Sequence, residues 1–154
     1  LIPRVVFTGG EPMMHAKQIE DWMRYNPDFA VEIETNGTIM PSQFLLEHVQ
    51  WNCSPKTSNA GNPAALAKKD DVLTAIAAYD SHFKFICSEP EDIAEVVTEF
   101  AFLPRKKIYI MPEGITKDEN EAVYQRINAS LLRHGLSTTP RLQNIMYHAA
   151  ARRV

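Results

Sequence analysis

The chain has 154 residues, of which 45% are apolar and 23% charged, and a formal net charge of −3 at pH 7. That is the composition of a single ordinary globular domain, without the basic footprint that nucleic-acid binding requires. No apolar run approaches the roughly 20 residues of a membrane span and no signal-peptide pattern is present, so a cytoplasmic protein without membrane or nucleic-acid partners is expected.

The first element is residues 4–12, Arg-Val-Val-Phe-Thr-Gly-Gly-Glu-Pro. A β-branched and aromatic run that ends in two glycines and a proline predicts a strand breaking into a tight loop. Its unbroken apolar character is the habit of a parallel strand covered on both faces. The chain opens without Met on Leu1-Ile2-Pro3, and an upstream segment is expected. Residues 14–25 carry Ile19, Trp22 and Met23 at helical spacing and stop at Asn26-Pro27. A strand over 29–34 meets the turn signal Thr35-Asn36-Gly37, and Ser42 caps a short helix to about His48 with Phe44, Leu45 and Val49 inward. Residues 49–53 form the third strand, which closes on Ser54-Pro55-Lys56. Beyond a polar loop, Pro63 opens a predicted helix over 64–79.

Residues 82–87 are the fourth strand, 91–102 a helix with acidic residues in its first turn, and 107–111 the fifth strand, ending at Met111-Pro112-Glu113-Gly114. A helix over 117–134 directs Val123, Ile127, Leu131 and Leu132 inward and stops at Gly135; 141–147 is a candidate sixth strand. Strict alternation of strand and helix implies an α/β fold with a parallel sheet and right-handed crossovers. Nothing marks a linker, so 1–154 reads as one domain. The two cysteines, Cys53 and Cys87, lie in or at the ends of strands and read as small buried apolar residues.

Residues 8–11, 34–37, 54–56 and 111–114 all fall just past the C-terminal ends of successive strands, the rim where parallel α/β folds bind ligands. Any one of these loops alone is an ordinary turn, and Lys56 alone an ordinary surface lysine; four together imply a site. The rim offers the carboxylates Glu11 and Glu34, the cation Lys56, the hydroxyl of Ser54 and the exposed backbone of Thr8-Gly9-Gly10. Such a set suits a zwitterion carrying a sugar. It is a poor phosphate cradle, with neither a P-loop nor a dinucleotide fingerprint. No serine sits in a nucleophile elbow, and the five histidines fall mostly in helices and the tail, His82 and His148 reading as packing residues.

In this order, Thr-Gly-Gly-Glu-Pro, Glu-Thr-Asn-Gly-Thr, Ser-Pro-Lys, Lys-Phe-Ile, Met-Pro-Glu-Gly and Pro-Arg-Leu-Gln resemble the radical S-adenosylmethionine enzymes of the 7-carboxy-7-deazaguanine synthase family, from Val5 to the end of the chain. The resemblance implies an incomplete (β/α)6 partial TIM barrel with its front strands missing, this chain being the C-terminal two-thirds. It implies that Gly9, Gly10 and Glu11 hold the methionine amino group of S-adenosylmethionine, that Ser54, Pro55 and Lys56 bind its ribose and carboxylate side with Glu34 and Asn36 nearby, and that Met111, Pro112, Glu113 and Gly114 line the adenine. Thr8 would face the substrate, with Arg141, Gln143 and the terminal Val154 closing over it. The implied reaction begins with reductive cleavage of S-adenosylmethionine by a [4Fe-4S] cluster. The adenosyl radical then abstracts hydrogen from 6-carboxy-5,6,7,8-tetrahydropterin, Mg2+ steers the ring contraction, and 7-carboxy-7-deazaguanine results, a queuosine precursor. A flavodoxin or ferredoxin would supply the electron.

The sequence departs from the family in one respect: the cysteine triplet and the Mg2+ ligand upstream of Gly-Gly-Glu are not in this chain. By itself it is expected to bind no cluster and not to turn over, and to form a homodimer through an exposed edge at residues 4–7. Two other readings share parts of the pattern. A radical-activating enzyme of a glycyl-radical partner would carry Gly-Gly-Glu-Pro without the later motifs, and a non-catalytic nucleoside- or protein-binding module would have no cysteine triplet anywhere in its gene.

Overall fold

A computed structural model describes residues 2–58 and 68–140. Strand β1 (Arg4–Phe7) passes through a 3-10 turn (Pro12–His15) into α1 (Ala16–Tyr25). Strand β2 (Ala30–Thr35) follows, then α2 (Gln43–His48), β3 (Val49–Cys53), α3 (Asp70–Ala77), β4 (Ser81–Cys87) and α4 (Pro90–Glu99). A second 3-10 turn (Arg105–Lys107) leads to β5 (Ile108–Pro112), α5 (Lys117–His134) and β6 (Ser137–Thr138). The six strands lie in sequence order, β1-β2-β3-β4-β5-β6, and every pair is parallel. The sheet is α/β and open, with β1 and β6 at its edges. Right-handed crossovers between neighbours taken in order keep the helices on one face, the arrangement of a partial TIM-type barrel.

That single helical layer corrects the expectation of strands covered on both faces. In β4, Ser81, Phe83, Phe85 and Cys87 are buried while His82, Lys84 and Ile86 are half-buried. The period is two, so one face meets the helices and the other stays open. On the covered face Ile33, Trp51, Phe83, Phe85 and Ile110 are fully buried against Leu45, Leu73, Ile76, Ile93, Val96 and Ile127 of the helices. The open face is polar. Arg4 Nη1 donates to Glu32 Oε2 at 3.0 Å and to Gln50 Oε1 at 2.5 Å, Asn52 donates to the other oxygen of Glu32, and the rings of His82 and Tyr109 meet edge-on at 5.4 Å.

The helix ends follow from local chemistry. Ser42 Oγ accepts from Leu45 N at the start of α2, and Asp92 accepts from the backbone of Ser88 and Glu89 before α4. Thr116 and Glu119 form a reciprocal capping box on α5, which ends at Gly135 with φ 62°. Elsewhere the expectations shift. Leu132 is 76% exposed, because it lies about 100° around the helix from Leu131 and leaves the stripe that Ile127 and Leu131 share. Helix α3 begins at Asp70, with Lys69 as its N-cap, so Lys68 and Lys69 are not helical as predicted; the Pro63 start lies outside the described residues. The sixth strand is Ser137–Thr138, whereas 141–147 also lies outside them. β1 is the edge expected to be exposed, but α1 covers part of it: Phe7 packs on Trp22 at 5.6 Å while Val6 is 44% exposed. No helix of the described residues is long and apolar enough to cross a membrane.

Two outcomes test this packing. Phe85→Ala removes a ring at 0% exposure and should cost about 3–5 kcal/mol in urea unfolding; a loss below about 1 kcal/mol would contradict its place in the core. Backbone N–H groups of Ile115 and Thr116 hold the Glu119 carboxyl below its usual range. A lowered folded pKa stabilises above the unfolded value and is lost as pH falls through the folded one. The thermal midpoint of Glu119→Gln should therefore lie below wild type at neutral pH and converge with it in acid; a constant gap would contradict the cap.

Candidate functional site

Parallel strands bring the C-terminal loops to one rim. After β1, Gly9 and Gly10 adopt φ of 83° and 55°, left-handed values that side chains rarely take. A Cβ at either would meet nothing within 4 Å, so the pair presents open peptide groups to the space above the sheet. Glu11 turns inward and is half-buried. Its Oε1 accepts from Thr35 Oγ1 at 2.6 Å and from Met13 N at 3.1 Å, and its Oε2 accepts from Asn36 N at 2.8 Å. One carboxylate thus caps the turn after β1 and ties it to the loop after β2. Thr8 Oγ1 donates to Glu34 Oε2 at 2.8 Å, a second tie between the same loops.

The β2 loop is built by its own hydrogen bonds. Asn36 Oδ1 accepts from Thr38 N at 2.9 Å and Thr38 Oγ1 at 2.6 Å. Gly37, at φ 73°, lies so close to α3 that a Cβ would come within 2.5 Å of Leu73 Cδ2. Ser54 N donates to Thr35 O at 2.8 Å, and Glu113 N to Cys87 O at 3.0 Å, so the later loops are anchored to neighbouring strand ends in the same manner. Gly114, at φ 146°, sits where a Cβ would be 2.9 Å from Asn120 N.

A cavity of about 280 Å³ opens on this rim, lined by Ser54, Pro55, Lys56 and Thr57 after β3, Lys84 and Ile86 on β4, and Glu113 after β5. Of the residues expected from sequence, Ser54, Pro55, Lys56 and Glu113 meet here. Thr8, Gly9, Gly10, Glu11, Glu34 and Asn36 form the adjoining cluster, joined to it through the Thr35–Ser54 hydrogen bond. Met111 pairs in register with Ile86, but Pro112 is buried and lines a different cavity with Lys117, Asn120 and Tyr124 of α5. Arg141, Gln143 and Val154 lie outside the described residues. Lys84 and Ile86 were not among the expected site residues; the alternation of His82, Lys84 and Ile86 with Phe83 and Phe85 was the signal for them.

The cysteines are on the other side of the sheet. Cys53 and Cys87 are free and buried; burial pushes each thiol up to about 12, reinforced by Glu11 at Cys53 and by Asp92 and Glu95 at Cys87. Buried thiols held protonated in this way are weak nucleophiles at neutral pH. Among the described residues no three His, Cys, Asp or Glu side chains gather to hold a metal ion.

Glu11→Gln replaces one accepting oxygen by an amide donor opposite another donor, and should lower stability by about 1–3 kcal/mol in denaturant unfolding; an unchanged midpoint would mean that the carboxylate does not join the loops. Iodoacetamide should label neither cysteine in the native chain and both in denaturant, read by intact mass; native labelling would contradict their burial.

No protein-family model matches the chain. The 7-carboxy-7-deazaguanine synthase of Pyrobaculum aerophilum is 30% identical over 155 residues, which cover 92% of this chain and 64% of that protein. The protein of the same name from Halobacterium salinarum is 29% identical over 168 residues, covering 95% and 65%, and that of Rickettsia prowazekii is 32% identical over 120 residues, covering 76% and 45%. The crystal structure of QueE from Escherichia coli superposes with a TM-score of 0.61 at 21% identity, over 90% of this chain and 56% of that one, a likeness of fold. The chain therefore spans just under two thirds of the length of the first two of these relatives. Sequence and fold together support a 7-carboxy-7-deazaguanine synthase-like family for this chain.

Proposed function

We propose that this chain forms the S-adenosylmethionine-holding rim of a radical enzyme that makes 7-carboxy-7-deazaguanine from 6-carboxy-5,6,7,8-tetrahydropterin. The observation that carries this reading is one rim that bears a left-handed Gly9-Gly10 turn after β1 and, from β3 to β5, a cavity lined by Lys56, Lys84 and Glu113. The names of the relatives, each a 7-carboxy-7-deazaguanine synthase, supply the reaction.

The donor set fits a zwitterionic nucleoside. Open peptide groups at Gly9 and Gly10, with space where Cβ atoms would be, let a ligand ammonium approach backbone carbonyls. Lysines in the cavity answer a carboxylate, and Ser54 offers a hydroxyl to a ribose. S-adenosylmethionine, when bound, supplies hydrogen-abstraction chemistry; the chain binds it, orients it and keeps the loops that hold it in register. Glu11 acts in this scheme by fixing the β1 and β2 loops, and Thr8 by aiming Glu34 across the rim. The described residues do not fit a [4Fe-4S] cluster, because they hold two cysteines, Cys53 and Cys87, each buried behind the sheet, whereas a cluster takes more thiolates than that. The same proposal takes a flavodoxin- or ferredoxin-type electron donor for the whole enzyme, and self-association through the β1 edge.

Equilibrium dialysis of the chain against S-adenosylmethionine tests the reading. Saturable binding is expected, weakened by about tenfold or more in Gly10→Val, which forces a branched side chain into a left-handed turn and into the ligand's space. Absence of saturable binding, or a Gly10→Val variant that binds as wild type does, would overturn it.

A further inference from the structure

Four of the seven residues that line the rim cavity, Ser54, Pro55, Lys56 and Thr57, come from one stretch that has left the sheet after β3. The other walls are held by the strands themselves. Lys84 and Ile86 pair in register with Tyr109 and Met111, and Glu113 N donates to Cys87 O at 3.0 Å. The 54–57 stretch is held from outside the ladder, at its start and just past its end. At the start, Ser54 N donates to Thr35 O at 2.8 Å. Past the end, Ser58 N donates to Glu95 Oε1 at 2.8 Å and Ser58 Oγ to Glu95 Oε2 at 2.5 Å. Both oxygens of one carboxylate on α4 thus grip a single residue, and bonds to an ionised acceptor are stronger than neutral ones. One turn further along α4, Glu99 Oε2 accepts from Lys68 Nζ at 3.1 Å, on the approach to α3.

We propose that Glu95, which does not itself line the cavity, is a positioning residue for the cavity's Ser54–Thr57 wall, acting through Ser58. A loop already held in its bound form spares a ligand the cost of ordering it. Glu95 therefore acts on affinity more than on the fold. Its side chain is half-buried and Ser58 is exposed, so water satisfies the Ser58 donors once the bonds are removed. The effect on a nucleoside rests on the S-adenosylmethionine reading above and deepens it; the hold on the loop is independent of the ligand.

Two readouts on the whole chain test it. Amide hydrogen exchange of the ligand-free protein should be about tenfold or more faster across residues 54–58 in Glu95→Ala, with β2 and β4 unchanged. Calorimetric titration with S-adenosylmethionine should show that variant weakened by about fivefold or more, while its urea midpoint moves little. Glu95→Gln should restore most of both, because its amide still offers an acceptor to Ser58 N and a donor to Ser58 Oγ. Glu99→Gln breaks the Lys68 pair on the same helix and should change affinity by less than about twofold. Ser58→Ala removes the hydroxyl bond from the loop side and repeats the test should Glu95→Ala lose its fold. Unchanged exchange across 54–58, unchanged affinity despite faster exchange, or a loss in Glu95→Gln or Glu99→Gln equal to that in Glu95→Ala would overturn the inference and leave the site reading standing. A wild-type chain that binds no S-adenosylmethionine would overturn the site reading, and the exchange rates alone would then decide whether Glu95 holds the loop.

Discussion

Parallel pairing in strict sequence order is the constraint on which the rest of this molecule depends. Because β1 to β5 all run the same way and each returns beside its predecessor, every strand delivers its following loop to the same rim. Right-handed crossovers send each helix back over one face, so hydrophobic burial is one-sided. The covered face is filled by Trp51, Phe83, Phe85 and their helical partners, and the other is left to Arg4, Glu32, Gln50 and Asn52. Placing a polar site above such a sheet sacrifices no core contact.

Within that frame, the rim is fixed by a few strong hydrogen bonds rather than by packing. Glu11 satisfies Met13 N, Thr35 Oγ1 and Asn36 N with one carboxylate, and charge-assisted bonds of this kind are roughly twice as strong as neutral ones. The Gly-Gly-Glu string therefore divides its labour. Both glycines leave open space where a Cβ would stand, and the glutamate holds the loops on either side. The glycine of the β2 loop works differently: Gly37 is required by the close approach of Leu73, whereas Gly9 and Gly10 face open space.

Much of the fold was legible because its signals are local. The strand Val49–Cys53 and the helix Lys117–His134 carry both a period and caps, and their predicted bounds coincide with the observed ones. Signals that need tertiary context were misread. The run Val5-Val6-Phe7 looks like a strand buried on both faces, yet only the side bearing Phe7 meets a helix. Leu132 belongs by composition to the core and by angle to the surface. The candidate rim was legible as a set of loops, because turn residues mark strand ends. Lys84 was not, because a lysine in mid-strand is read as a solvated face until the opposite face is known to be the buried one.

The central claim is that loops separated widely in the sequence form one ligand-binding rim. Amide chemical-shift mapping by nuclear magnetic resonance, with the isotopically labelled chain titrated with S-adenosylmethionine, tests it most directly. The account predicts saturable shifts at Gly10, Asn36, Lys56, Lys84 and Glu113 together. Shifts clustered instead at the opposite strand ends, around Ala30, Val49, Ser81 and Ile108, would contradict it.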